Sequence, residues 1–184
     1  YKSLNCGKGS KDNIQNIKKN INYVRKKIQS KNKIILLHQI HSSKIFYVNN
    51  LTKKKLIGDG LITKSKNLPL GILTADCAPI LILDTKKKII GAVHAGWKGA
   101  YKNIVIKVLK KFINIGSRKR DIIVVIGPSI SQKSYEVGGE FKDKFLRKNR
   151  KNSIFFKSIQ KKTYFNLVKF IHNQLISFGI FKID

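Results

Sequence analysis

Three short segments between residues 38 and 94 hold most of the metal-ligating side chains of this chain. They are His-Gln-Ile-His at 38–41, Thr-Ala-Asp-Cys-Ala-Pro at 74–79 and His-Ala-Gly-Trp-Lys-Gly at 94–99. The 184 residues include four histidines and two cysteines, and three of those histidines and one cysteine lie in these segments. Imidazole and thiolate suit zinc, and three protein ligands with an open fourth position are typical of a catalytic site. The segments therefore predict a metal enzyme.

Short apolar runs of β type lie between and beyond these segments. A loop formed by Asp84 and the residues up to Lys88 joins two of the runs, and it predicts a β-hairpin. The candidate strands are residues 34–37, 45–48, 61–63, 70–74, 80–83, 89–93 and 122–126, the last of which ends at Gly127-Pro128.

Four segments place apolar residues at helical spacing. They are residues 12–28, with Ser10 or Asp12 as the expected N-cap, residues 100 to about 116, residues 138–147, and a last segment ending at Gly179. The second helix is expected to bury Ile104, Val105, Val108, Leu109 and Phe112, and Phe165, Val168, Ile171, Leu175 and Phe178 mark the last. Because strands and helices alternate irregularly, we expect an α+β sandwich of a mixed β-sheet with flanking helices, not a doubly wound sheet. The length indicates a single domain over residues 1–184.

The charge of the chain is extreme, with 39 Lys and Arg against 9 Asp and Glu and a net charge of +30. Such a charge attracts polyanions, but nucleic-acid surfaces concentrate arginine and exposed aromatic residues on one face. Here lysine dominates and is spread over nearly every loop, as at 53–55, 86–88 and 148–151. We therefore expect a distributed bias in composition and no specific nucleic-acid partner.

The sequence also bears on location and on the extent of the chain. It has no apolar run of the roughly 18 residues that a membrane span needs, and its first five residues do not resemble a signal peptide. Cys6 and Cys77 do not suggest a disulfide framework, which favours a reducing, cytoplasmic setting. Since the sequence contains no methionine, we expect a processed or incomplete chain. The choice between monomer and homodimer stays open.

Further motifs extend the pattern along the chain. They are Ser-Leu-Asn at 3–5, Gln-Ile-His at 39–41, Asp-Gly-Leu-Ile-Thr at 59–63, Leu-Thr-Ala-Asp-Cys-Ala-Pro at 73–79, Gly-Ala-Val-His-Ala-Gly-Trp-Lys-Gly at 91–99, Ile-Gly-Pro-Ser-Ile at 126–130 and Tyr-Glu-Val-Gly at 135–138. In this order they resemble the YfiH/YlmD family, also called DUF152 or the laccase-domain, FAMIN-related family. The resemblance covers nearly the whole chain, although typical members have a further N-terminal strand and continue past the last helix. The chain is therefore expected to lack the family's N- and C-terminal ends.

The resemblance implies a zinc site formed by His41, Cys77 and His94. It also implies phosphorolysis of purine nucleosides, namely adenosine, inosine, guanosine or methylthioadenosine, with adenosine deaminase as a side activity. The expected partners are thus a purine nucleoside and phosphate. The residues support the site independently, because Cys77 follows one candidate strand and precedes Pro79, while His94 ends another. If these strands form a hairpin around Asp84 to Lys88, Cys77 and His94 would lie at the same edge of the sheet. His41 is expected to end the strand that begins at Ile34.

Other residues of these motifs are candidates for catalysis and substrate binding. Asp76 is the candidate general acid or base beside Cys77, although it could instead cap a strand end and orient Cys77. Gln39, Lys98, Asn5 and Tyr135 are the candidate substrate-binding residues. The turn at 96–99 leads into a predicted helix, whose N-terminal amides and dipole would favour phosphate. Lys98 stands where family members usually carry Arg, and it supplies a point charge without a bidentate fork.

Three alternatives remain at this level. Two histidines and a cysteine are also the ligands of blue copper, which fits the family's older label of polyphenol oxidase, but that site usually adds an axial Met. Cys77 and His94 could instead form a cysteine-dependent hydrolase pair, since the fold resembles that of certain deamidase toxins. The third alternative is no enzyme at all but a polyanion-binding module or a degraded metalloprotein.

Overall fold

The computed structural model describes residues 4–52 and 55–184, so Ser3 of the Ser-Leu-Asn motif lies outside the described residues. The helices are α1 (Ile14–Lys27), α2 (Trp97–Tyr101), α3 (Ile104–Asn114), α4 (Gly139–Lys148) and α5 (Leu167–Phe178). The strands are β1 (Ile45–Tyr47), β2 (Gly60–Thr63), β3 (Ala78–Asp84), β4 (Ile89–Ala95), β5 (Ile122–Ile126), β6 (Glu136–Val137), β7 (Phe156–Ile159) and β8 (Lys162–Phe165). The predicted α+β class, with a mixed sheet and flanking helices, is confirmed.

A five-stranded sheet in the order β1-β2-β4-β3-β5 forms the centre of the fold. β1 runs parallel to β2, and the other neighbouring strands are antiparallel. The predicted β3–β4 hairpin is confirmed. Its turn is closed by the buried carboxylate of Asp84, which accepts hydrogen bonds of 2.8 Å from the backbone N–H groups of Lys86 and Lys87.

The main core lies on one face of this sheet. Ile80 and Ile82 of β3 point into it, whereas Leu81 and Leu83 between and after them are exposed, as the two-residue period of a strand requires. Helices α3 and α5 cover the core face, and the five residues predicted to be buried on α3 all are. A smaller apolar cluster lies under the long loops before β1 and after β2, formed by Leu37, Val48, Leu61 and Leu68.

The expected strands at 34–37 and 70–74 are wrong. This part of the chain forms a single parallel bridge between Ile35 and Leu70. Beyond the bridge, the backbone N–H and C=O groups of Leu73 hydrogen-bond with the side chain of Gln39, each at 2.7 Å, and not with a neighbouring strand. The second sheet, which has the order β6-β8-β7, was not predicted from the sequence either.

The helices differ from the predictions mainly at their ends. The N-cap of α1 is Asn13, whose side chain accepts from the Gln15 N–H, and not Ser10 or Asp12. The helix expected after residue 99 is divided into α2 and α3, because Asn103 between them is left-handed with φ 58°. Phe165 lies on β8, so α5 begins two residues later at Leu167. None of the helices in the described ranges is long and apolar enough to cross a membrane.

Candidate metal centre

The structure brings the three predicted metal ligands together at one edge of the central sheet. Cys77 lies directly before β3, and His94 on β4 is paired with Pro79 of β3, so the hairpin places both at the same edge as predicted. His41 reaches this edge from the loop before β1. The ligand atoms of His41, Cys77 and His94 all lie within 4.8 Å of one another. Within residues 4–52 and 55–184, they are the one group of three such side chains arranged to hold a metal ion.

The distances within the group fit a single zinc ion. Zinc–sulfur and zinc–nitrogen bonds of ~2.3 and ~2.0 Å at a tetrahedral angle separate sulfur from nitrogen by about 3.5 Å. The Sγ atom of Cys77 lies 3.7 Å from Nε2 of His41. The rings of His41 and His94 stand nearly perpendicular, with an interplanar angle of 80° and centroids 4.7 Å apart. The group can therefore bind one ion after shifts of about 1 Å or less.

Gly96 leaves the space that this arrangement needs. A Cβ atom at this position would lie 2.8 Å from the Cys77 Sγ and 3.0 Å from Cδ2 of His41. Its backbone conformation, φ −72° and ψ 169°, is open to any residue. Gly96 is thus required here because of its size, since a side chain at this position would overlap with Cys77 and His41.

Asp59, the residue before β2, also belongs to this centre, although from the sequence it was named only as the first residue of the motif at 59–63 and was assigned no role. Its buried carboxylate accepts a hydrogen bond of 2.8 Å from Nδ1 of His94. It also accepts from the backbone N–H groups of Ile40, His41 and Ser42 and from the Ser42 hydroxyl. The signal in the sequence is a Gly-Asp-Gly triplet at the start of a strand.

Charge and burial leave His94 ready to bind a metal. Burial acts to raise the pKa of Asp59, but hydrogen bonds from Ser42 and His94 outweigh it and hold that pKa below its usual range. The ionised carboxylate accepts but cannot donate, so Nδ1 of His94 carries the proton and the Nε2 lone pair is free. Burial lowers the pKa of His94 itself, although Asp59 acts in the opposite direction, which favours the neutral imidazole that metals bind.

Cys77 is half-buried. Burial and, after it, the negative charges of Asp76 and Asp59 raise the pKa of its thiol. In the metal-free protein this environment favours the thiol over the reactive thiolate. A metal cation bound by Cys77 would lower the pKa of this thiol, because ligation deprotonates the sulfur.

Tyr135 and Asp76 are candidate residues that interact electrostatically with Cys77. Burial raises the pKa of Tyr135 to about 12, and the charges of Cys77 and Asp76 add to the effect. The Asp76 side chain is exposed, and its backbone carbonyl accepts from the N–H of Ile130 at 2.9 Å. This bond fixes the loop after β5 against the loop that carries Cys77.

Gln39 and Asn5 are occupied with backbone and local contacts. The Gln39 amide donates to the Leu73 carbonyl and accepts from the Leu73 N–H, and thus connects the loop of His41 to the loop that leads to Cys77. The Asn5 side chain donates to Ser10 and Asp12 and accepts from the Gly7 N–H, which organises its own turn before α1. The contacts observed for both residues are structural.

Lys98 and the turn at 96–99 give limited support to a phosphate cradle. The helix that follows the turn, α2, has only five residues, so few aligned peptide dipoles reach its N-terminus. Lys98 is exposed, with its ammonium group 5.7 Å from the centroid of the Trp97 ring. A concavity of about 1050 Å³ lies between α2 and α4 and is lined by Trp97, Tyr101 and Phe141 among others, but by none of the three candidate ligands.

Comparison with known families gives a match over the whole chain. The family model described as multi-copper polyphenol oxidoreductase laccase matches residues 1–184. A protein of Rickettsia conorii named purine nucleoside phosphorylase is 40% identical over 149 residues, which are 80% of this chain and 61% of that protein. A protein of the same name from Aquifex aeolicus is 41% identical over 133 residues, or 71% of this chain and 63% of that protein. The matched part thus spans about three fifths of these curated relatives.

Two solved structures share the fold. YfiH of Bacillus licheniformis, described as a hypothetical protein, superposes with a TM-score of 0.89 at 27% identity, covering 99% of this chain and 74% of that one. YlmD of Geobacillus stearothermophilus superposes with a TM-score of 0.88 at 22% identity, covering 98% of this chain and 73% of that one. The architecture described above is therefore shared with longer proteins.

Proposed function

The chain belongs to the laccase-like YfiH/DUF152 family, and from this premise we propose that it is a zinc-dependent purine nucleoside phosphorylase. Adenosine, inosine, guanosine and methylthioadenosine are the proposed nucleosides, phosphate is the second substrate, and adenosine deamination is a proposed side activity. The relatives that carry the phosphorylase name support this proposal, as does the metal centre.

The convergence of His41, Cys77 and His94 is the observation that carries the proposal. Zinc bound by these three residues would supply a Lewis acid with an open position that polarises a substrate oxygen or lowers the pKa of a bound water. In phosphorolysis, a phosphate oxygen forms a bond to the anomeric carbon of the ribose while the bond from that carbon to the purine nitrogen breaks.

The other residues of the centre would assist this displacement. We assign to Asp76 the transfer of a proton to or from the substrate, because it adjoins Cys77 in the chain and its side chain is exposed. Tyr135 would donate a hydrogen bond from its phenol O–H to a substrate oxygen, since its raised pKa keeps it protonated. Lys98 would contribute positive charge for phosphate. For Gln39 and Asn5, we infer from their contacts that they shape the site, and direct binding of substrate would use their remaining hydrogen-bonding capacity.

A copper-dependent polyphenol oxidase is the second candidate, because the matching family is named for that activity. The same three residues would bind the copper. The sequence has no methionine to serve as the weak axial ligand of a blue-copper site, and its four histidines are few for a multicopper enzyme. The ligand chemistry therefore favours zinc.

The cysteine hydrolase alternative would use Cys77 as nucleophile and His94 as base, with Asp59 orienting the imidazole. The His94–Asp59 bond would serve this scheme as well, but the hydrogen bond given for the Cys77 Sγ is to Nε2 of His41, at 3.7 Å, and not to His94. Three ligand atoms within 4.8 Å of one another favour a shared metal ion over a relay that leaves His41 without a role.

The proposal is tested by metal analysis of the purified protein together with release of hypoxanthine from inosine. We expect about one zinc per chain and release that requires added phosphate. The control is Cys77→Ala, which should lose both zinc and release. Oxidation of a polyphenol by copper-loaded protein, with no phosphate-dependent release in the zinc form, would favour the oxidase. A cytoplasmic location remains a prediction.

A further inference from the structure

We propose that Asp59 is the positioning residue of the metal centre, because its single carboxylate sets the geometry of two of the three ligands. This inference rests on the metal centre of the proposed function but is independent of the substrate. Asp59 does not belong to the ligand group itself. Its role follows from the hydrogen bonds that its two carboxylate oxygens accept and from the close approach of the neighbouring segments to it.

One oxygen orients His94. The Oδ1 atom of Asp59 lies 2.8 Å from Nδ1 of His94, which fixes the rotation of the ring and directs Nε2 away from the carboxylate. The same two residues are joined through the backbone, because the His94 N–H donates to the Asp59 carbonyl at 2.8 Å. The imidazole is therefore held by its neighbour across the sheet before any metal binds.

The carboxylate also shapes the loop that presents His41. The backbone N–H groups of His41 and Ser42 donate to it at 3.0 and 2.6 Å, and the Ser42 hydroxyl donates at 2.7 Å. His41 itself has φ 56°, in the left-handed region that a residue other than glycine rarely adopts. Consecutive N–H groups that converge on one anion stabilise this kind of turn. Asp59 thus holds His41 in a backbone conformation that it would otherwise leave.

Two glycines make this contact possible. A Cβ at Gly58 would lie 2.8 Å from the backbone oxygen of Lys44, and a Cβ at Gly60 would lie 2.7 Å from Cγ2 of Ile45. The chain that follows His41 can therefore pass directly over the start of β2, where the Asp59 N–H also donates to the Lys44 carbonyl at 2.9 Å. The Gly-Asp-Gly triplet brings the two ligand-bearing segments to one carboxylate.

The test compares Asp59→Asn with Asp84→Asn in the full chain. Asp84 is the matched control, because it is equally buried and also accepts backbone N–H groups, but at the opposite end of the β3–β4 hairpin. The measurement is the dissociation constant of Zn²⁺ by competition with a chromophoric chelator, along with the unfolding midpoint of the metal-free protein. We expect Asp59→Asn to weaken zinc binding about 10- to 100-fold and Asp84→Asn to leave it unchanged, although both lower the midpoint.

A double-mutant cycle with His41→Ala separates positioning from general destabilisation. If Asp59 acts through His41, Asp59→Asn should weaken zinc binding by a smaller factor in the His41→Ala background than in the wild-type background. Equal factors in both backgrounds, equal losses in the two Asn variants, or no loss in Asp59→Asn would each overturn the proposal. If Asp59→Asn does not fold, Ser42→Ala replaces it, with a loss of a few-fold expected and unchanged affinity counting against the proposal. Failure of the wild-type protein to bind zinc would instead contradict the centre itself.

Discussion

Replacement of Gly96 by alanine tests whether the close packing around the ligands is needed for metal binding. Because the added Cβ would lie 2.8 Å from the Cys77 Sγ, and ordinary contacts between such atoms begin at ~3.5–4.0 Å, the sulfur must move by about 1 Å. Metal–ligand distances tolerate changes of only about 0.2 Å. We therefore expect Gly96→Ala to weaken zinc binding on the order of 10- to 100-fold, comparable to the loss of a residue that supports a ligand.

The metal-free protein should be affected much less by the same change. The conformation of Gly96 is open to alanine, which lowers the entropy of the unfolded chain and adds ~0.4–1 kcal/mol of stability. The half-buried Cys77 side chain can turn away when no metal holds it, so the cost of crowding stays at or below the ~1–3 kcal/mol typical of overpacked cores. We expect the free energy of unfolding to stay within about 1–2 kcal/mol of the wild type.

Gly138→Ala is the matched control for this experiment. Gly138 is also the N-cap of a helix and has nearly the same backbone angles, φ −77° and ψ 169°, but a Cβ added there would have no neighbouring atom within 4 Å. Zinc affinity is measured by chelator competition and stability by urea unfolding of the metal-free proteins. Equal zinc affinity in Gly96→Ala and Gly138→Ala would refute the argument from close packing.

Three further predictions concern metal content, thiol reactivity and charge. Single alanine substitutions of His41, Cys77 and His94 should each reduce bound zinc well below one per chain, as measured by elemental analysis, and unchanged zinc in all three would contradict the ligand assignment. Cys77 should react with an alkylating reagent more slowly in the zinc-loaded than in the zinc-free protein, where its raised pKa should make the rate increase with pH, whereas fast alkylation of the zinc-loaded protein would point to a nucleophile. Binding to DNA or RNA should be weak, indifferent to sequence and lost at moderate salt in a filter-binding assay, and a salt-resistant complex would show that the +30 charge forms a specific surface.

The strands and helices that pack against the core could be predicted from the sequence. The β3–β4 hairpin and the buried face of α3 follow directly from apolar periodicity and a polar turn. The prediction was wrong for residues 34–37 and 70–74, whose pairing is limited to one bridge between Ile35 and Leu70, and the Gln39 side chain forms the hydrogen bonds of Leu73 beyond it. The break between α2 and α3 also depends on one residue, Asn103, whose left-handed conformation no hydrophobic pattern reveals.

The convergence of the candidate ligands could be predicted as well, since residue type and hairpin topology together bring Cys77 and His94 to one sheet edge. The phosphate cradle could not be judged in the same way. Its strength depends on the length of the helix after Gly96, and the sequence predicted one long helix where the structure has a five-residue α2. The contacts of Gln39 and Asn5 could not be predicted either, because a hydrogen bond from a polar side chain to a nearby backbone group leaves no periodic pattern in the sequence.

Asp59 shows why sequence reasoning finds ligands more readily than the residues that position them. A ligand is recognised by its chemistry, and histidine and cysteine are rare enough in this chain to stand out. A positioning carboxylate is chemically ordinary and acts only if other segments can come very close to it. In this protein, glycines allow these close approaches. They are Gly58 and Gly60 beside Asp59 and Gly96 beside Cys77, where a Cβ would lie 2.7–2.8 Å from a neighbouring atom. A close approach at a glycine does not by itself identify the centre, because a Cβ at Gly71 would meet Ile34 at 2.7 Å; around Asp59 and Cys77 it does so together with the ligand chemistry.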